Sequence, residues 1–233
     1  MVIWAGLIVA TLWVYSLFEQ GQIQRPFEPT PTPTRNPISW AEEAKARFSA
    51  GRFAEAILAY QRALEIDSKN VDYWVGRARA EIFAEQYAEA LESSRSAVFA
   101  ASESAKARAV NAWALYSNDR LDEARAAAVQ AIALDANYAP AHAYYSFILN
   151  DSQNWDQGFR EAQTALQLDP TLLEAHLAMG YSNESVGAYE GAIKRYQDAL
   201  AINPNVVAIN RRIGLNYRAQ HDIEQAIAYI SKA

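Results

Sequence analysis

A step of 34 residues runs through this chain. Small residues recur at Ala56, Ala90, Ala124, Gly158, Ala192 and Ala226, and a second row, Ala63, Ala97, Ala131, Ala165, Ala199 and Ala233, keeps the same step. So does a bulky row, Phe53, Tyr87, Leu121, Trp155, Tyr189 and Ile223. Three rows in register over six periods, with no insertion, point to one class of architecture: a stack of like units, each burying its apolar face against its neighbours. In the first period Ala56, Ile57, Tyr60, Ala63 and Leu64 fall at i, i+1, i+4, i+7 and i+8, the single apolar stripe of a helix. Each period is predicted to hold two helices, over about 139–152 and 156–168 in the fourth. Small residues let the paired helices approach closely, and the bulky row packs into the corner between them. A proline or a capping Asp or Asn then stops the second helix.

The segments GRFAEAILAYQRALEID and GAYEGAIKRYQDALAINP, with Asp169-Pro170 and Asn203-Pro204 closing two periods, resemble the second half of the tetratricopeptide repeat (TPR). The resemblance covers residues 37–233 as repeats 37–70, 71–104, 105–138, 139–172, 173–206 and an incomplete 207–233. It implies an all-α, right-handed α-solenoid of stacked helix-turn-helix repeats. It also implies a concave groove lined by the first helices, at the second, fifth, sixth, ninth, twelfth and thirteenth places of each repeat. Those places hold Lys106, Trp113, Tyr116, Tyr144, Phe147, Asn150, Glu174, Tyr181 and Glu184, flanked by Arg79 and by Arg211, Arg212 and Arg218. Aromatic rings with arginine are the usual material of interface hot spots, so the groove reads as a peptide-binding site. The alternative for Trp113 and Phe147 is a place in the core between helices. An extended or helical segment with apolar side chains and some acidic character suits this groove. A carboxylate clamp of the chaperone-binding TPR kind is not expected, because its basic candidates, Lys106 and Arg212, stand in widely separated repeats. Repeat two carries Ser94 where repeats one and five carry Tyr60 and Tyr196, so the weakest packing is expected there.

Ahead of the repeats, residues 2–18 carry no charge. At roughly 1.5 Å per residue they make about 25 Å of helix, near the lower limit for a bilayer core. Trp4 near one end and Trp13, Tyr15 and Phe18 towards the other suit the two interfaces. No basic stretch precedes the run and no small-x-small site ends it, which favours an uncleaved anchor over a signal peptide. Pro26, Pro29, Pro31, Pro33 and Pro37 are five of the eight prolines, and the Pro-Thr alternation predicts a stiff, extended spacer. The expectation is therefore a single-pass transmembrane anchor at 1–18, a linker at 19–36 and a TPR domain at 37–233. The spacer argues for repeats on the external face; Arg25 and Arg35, which follow the apolar run with no basic residue before it, argue for the cytoplasmic face.

The net charge of −6 is spread along the chain without a lysine and arginine block, so nucleic acid is not an expected partner. Cysteine is absent, which removes disulfides, thiolate catalysis and cysteine-ligated zinc. His142 and His176 hold the same place in successive repeats, at least a helix diameter apart, and read as packing residues rather than metal ligands. His221 falls in the turn before the last helix. Adjacent carboxylates, Glu42-Glu43 and Asp122-Glu123, point about 100° apart on a helix and do not converge on a substrate. Gly180, Gly187 and Gly191 fall at repeat and turn positions, not in a phosphate loop. No catalysis, cofactor or metal is expected. The chain reads as a membrane-held scaffold for an unknown protein or peptide partner. One alternative is the regulatory or substrate-recruiting N-terminal region of a larger membrane enzyme continuing beyond Ala233. Self-association through an uncapped last repeat is another.

Overall fold

The computed structural model describes residues 12, 13, 15–17 and 35–233, in two units, residues 1–35 and 36–233. In the first unit Leu12, Trp13, Tyr15, Ser16 and Leu17 are helical, and the first three are exposed. Among the described residues no helix is long and apolar enough to cross a membrane. Apart from those five residues the expected anchor lies outside the described residues, and so does the expected spacer before Arg35.

The second unit folds into α1 (Pro37–Ser49), α2 (Phe53–Ile66), α3 (Val71–Phe83), α4 (Tyr87–Ala100), α5 (Ala105–Ser117), α6 (Leu121–Leu134), α7 (Ala139–Asp151), α8 (Trp155–Leu168), α9 (Leu173–Ser185), α10 (Tyr189–Ile202), α11 (Ala208–Ala219) and α12 (Ile223–Ile230). It is an all-α helical repeat solenoid of the TPR type. Odd helices pack on the even helices that follow them, and α3, α5, α7 and α9 line up as neighbours. Both alanine rows explain this closeness: Ala56, Ala90, Ala124 and Ala192, like Ala63, Ala97, Ala131, Ala165 and Ala199, are wholly buried. A larger side chain at any of them would force the helices apart.

Within each pair the chain turns the same way. Gly51, Glu85, Asp119, Gln153, Gly187 and His221, one per period, all have positive φ. The residue after each donates its N–H five residues back, as Arg52 does to the Arg47 carbonyl. That left-handed residue with its back-reaching bond is the helix-stopping geometry glycine favours, though four of the six turns manage it without glycine. Three of the six first helices, α1, α3 and α5, begin on side-chain caps: Asn36 accepts from the Ser39 N–H, Asn70 from Asp72 and Ser104 from Ala107. Asp122 and Glu123 do lie in the first turn of α6, where their charge offsets the helix dipole.

One expectation is corrected. Tyr87, Trp155 and Ile223 are exposed at the starts of their helices rather than wedged into a corner, because only one side of that place faces the stack. In repeat two, Ser94 is fully buried, donates to the Leu91 carbonyl and accepts from Asn111, so a hydrogen-bonded pair fills the place of a tyrosine ring.

The solenoid closes on itself. Asn203 and Asn205, in the loop before α11, donate to the carbonyls of Phe48 and Ser49 at the end of α1, each at 3.4 Å. Gly51 lies so close to this loop that a Cβ on it would stand 2.5 Å from the Asn205 Cβ. Phe53 and Phe83 pack against the cluster of Leu173, Val206 and Ile209, which joins the first two repeats to the last two.

Candidate functional site

The concave face is built by the first helices, and closure turns most of it into an interior. Phe48 meets Phe53 at 5.3 Å and Phe83 at 5.2 Å between ring centroids; Phe83 then meets Trp113 at 5.4 Å, edge to face. Trp113 stacks on Tyr144 at 4.5 Å with planes 15° apart. Both rings are buried, at 7% and 2% exposure, and lie against each other; Trp113 also lines the cavity described below, and Tyr144 does not. Such ring contacts add roughly 0.5–1.5 kcal/mol each beyond the area they bury.

Arg79 crosses the same space. Its Nε donates to Glu174 Oε1 at 2.6 Å and its guanidinium lies 4.7 Å over Phe48. Glu174 is fully buried, and Tyr144 also donates to its Oε1, at 3.4 Å. Burial works against the Arg79 charge, but the Glu174 carboxylate outweighs it and holds the guanidinium more firmly protonated than usual. Burial, then the Glu174 charge, pushes the Tyr144 phenol far up. Arg79 is thus a strut across the ring.

Towards the turns that end the odd helices, a second ladder stays partly open. Tyr116 stacks on Phe147 at 6.1 Å, and Phe147 meets Tyr181 at 6.0 Å. Tyr116 donates to Asp151 at 2.8 Å and Tyr181 donates to the other oxygen of the same carboxylate. Burial and Asp151 together push both phenols well up. Arg212 lies 5.1 Å over Tyr181 and pairs with Glu184 at 3.1 Å; Glu184 also accepts from Tyr196 and Asn216.

Among the other expected groove residues, Asn150 is 3% exposed and serves the interior, donating to the Ser146 carbonyl and to Ser182 Oγ. Lys106 is exposed and pairs with Asp72 at 2.8 Å, the same place one repeat earlier. Arg218 is exposed, away from the cavity described next. Phe147, Tyr181, Arg211 and Arg212, with Trp113, come together around a cavity of about 200 Å³, lined by residues from 82–87 and from 206–212. Sequence reasoning passed over Phe83, Asp151 and Leu177, although all three sit at groove places; Tyr196 and Asn216 carry no such signal.

The histidines serve the stack. Trp74, Arg108, His142 and His176 hold one place in successive repeats, and each donates to the carbonyl six residues back, at 2.8–3.0 Å. A carbonyl only accepts, so Nε2 of each histidine carries the proton. His142 Nδ1 meets Glu161 at 2.6 Å, which requires a second proton there. Burial pulls this histidine down, but the Glu161 bond, the Ala136 carbonyl and the Glu161 charge together raise it above its ordinary 6.5. A raised folded-state value stabilises fully below the unfolded value and fades as pH climbs through the folded one. The stability lost on Glu161→Gln, read from urea denaturation, is therefore expected to be greatest at or below about pH 6.5 and to shrink above it. Among the described residues no group of His, Asp and Glu could hold a metal.

Residues 44–80 match the family model described as TPR repeat. No curated protein matches the chain. Among solved structures, a thermophilic TPR protein from Thermus thermophilus is similar at a TM-score of 0.63 and 19% identity, over 78% of this chain and 99% of that one. The human IFIT1 dimer with m7Gppp-AAAA is similar at 0.70 and 16%, over 88% of this chain and 51% of that one. The APC/C hetero-tetramer Cut9–Hcn1 is similar at 0.65 and 13%, over 87% and 40%. At these identities the likeness is one of fold.

Proposed function

We propose that this chain is an interaction scaffold that binds a polypeptide segment at the open part of its concave face, held at a membrane through residues 2–18. The TPR-type fold is generally that of a protein-interaction scaffold. The observation that carries the binding reading is the ladder of Tyr116, Phe147 and Tyr181, which ends in a cavity beside two arginines instead of being packed shut. The buried strut of Arg79 and Glu174 confines the partner to that end of the lumen, so a segment threading the whole superhelix is not accommodated. The anchor rests on the uncharged run of residues 2–18, and the Pro-Thr spacer would display the repeats on the external face.

IFIT1 is seen with a capped RNA, but a like role is not favoured in this chain. Arg79 and Arg212 are each met by a glutamate, and the net charge is −6.

The test is affinity capture of partners with the native chain and with Phe147→Ala/Tyr181→Ala, whose rings are only partly buried. Capture is expected to fall at least tenfold while helical content is kept. Unchanged capture by a folded variant sinks the reading.

A further inference from the structure

The cavity at the ring's seam exists only because the second repeat meets the sixth. Its walls are apolar and aromatic: Phe83, Trp113, Phe147, Leu177 and Tyr181. At about 200 Å³ it is smaller than the roughly 300–1,000 Å³ of sites that enclose a drug-sized ligand, and suits one large side chain.

The polar groups at the seam are mostly committed. The Tyr181 hydroxyl donates a hydrogen bond to Asp151, the Tyr196 hydroxyl donates one to Glu184, and Arg212 pairs with Glu184. Arg211 differs. It lines the same cavity, is exposed, and among the described residues makes no ion pair. The carboxylate nearest in role is Glu85, at the facing turn, which lines the cavity too. Tyr87 lies within the field of both: burial and Glu85 raise its phenol, and Arg211 lowers it.

We propose that this cavity takes one bulky apolar or aromatic side chain from an acidic segment of the partner polypeptide, with a carboxylate of that segment on Arg211. The assignment rests on the reading of the concave face as polypeptide-binding and adds the chemistry of the anchor. The aromatic wall supplies stacking and apolar burial without asking the partner for hydrogen bonds. The unmatched guanidinium supplies selection for negative charge, and Glu85 weakens that selection by competing for the same cation. Because both halves of the seam build the wall, an occupant also ties the second repeat to the sixth.

The experiment uses the full 233-residue chain labelled with 5-fluorotryptophan, the fluorine signal of Trp113 reporting the cavity and that of Trp155, on α8, serving as control. The probes are N-acetyl-tryptophan, which has a carboxylate, and N-acetyl-tryptophanamide, which does not. The acid is expected to shift Trp113 saturably, the amide to bind at least tenfold more weakly, and Trp155 to stay still. Arg211→Gln should erase the difference between the probes, and Glu85→Gln should tighten the acid alone. Equal affinity for acid and amide, a preference that survives Arg211→Gln, or a Trp113 signal that neither probe moves would each overturn the assignment. Phe147 and Tyr181 belong to the same wall, so the two readings separate by outcome: a failed anchor with capture still lost in Phe147→Ala/Tyr181→Ala leaves polypeptide binding without this anchor, whereas unchanged capture in that variant removes both.

Discussion

Replacing Arg79 with leucine is expected to lower the stability of the repeat unit by about 2–4 kcal/mol, measured as the shift of the urea midpoint. Glu174 would be left fully buried without its ion-pair partner, with Tyr144 its remaining donor. Breaking a buried ion pair by removing one partner typically costs about 3–5 kcal/mol, and the lower range here follows from the third of the Arg79 side chain that meets water. Arg79→Leu/Glu174→Leu removes both charges, puts apolar groups in their place and should recover most of the loss. A double variant as unstable as the single would mean that the guanidinium works by packing on Phe48 rather than by holding the carboxylate.

Gly51→Ala is the second large effect, and Gly187→Ala gives its scale. Both glycines sit at the same place of the repeat with left-handed backbones, φ 70° and 76°, so both alanines bear the same conformational penalty, about 1–2 kcal/mol. At Gly187 the new methyl meets nothing nearer than 3.9 Å. At Gly51 it would stand 2.5 Å from the Asn205 Cβ and 2.7 Å from its carbonyl oxygen. Overpacking of that kind adds roughly 1–3 kcal/mol, so Gly51→Ala is expected to lose about twice what Gly187→Ala loses. It should also lift the loop at Asn205 away from α1 and open the seam cavity. Equal losses would mean that the ring is not pressed shut at this point.

The helices were legible in the sequence because burial left no choice at certain places. Ala56, Ala63 and their counterparts must be small wherever two helices cross, and a repeated requirement prints a repeated letter. Helix ends at 139 and 168, and a turn at His221, followed from the same register; the positive φ shared by the six turns did not. The donor place shared by Trp74, Arg108, His142 and His176 was hidden, because four different bonds of similar length are made by three residue types.

Curvature was not legible at all. It accumulates from small rotations between repeats, and no single residue carries it. The groove places therefore named positions on the first helices without saying what those positions meet. Trp113 and Tyr144, read as ligand contacts, lie against each other. Arg79, read as a basic flank, finds Glu174 95 residues further on. Phe147, Tyr181, Arg211 and Arg212 share one cavity because repeat six returns to repeat two, a distance of four repeats in the sequence and one seam in space.

The closed ring is the premise of the strut, the seam cavity and the confined partner, and one cross-linking measurement reaches it directly. The chain has no cysteine, so Ser49→Cys/Asn205→Cys introduces a single reactive pair, to be treated with a short bis-maleimide and compared with Asn183→Cys/Gly191→Cys inside one repeat. A ring closed as described predicts an intramolecular bridge between residues 49 and 205 as efficient as the control. A control that bridges while residues 49 and 205 stay separate would contradict it, and would return the concave face to an open groove.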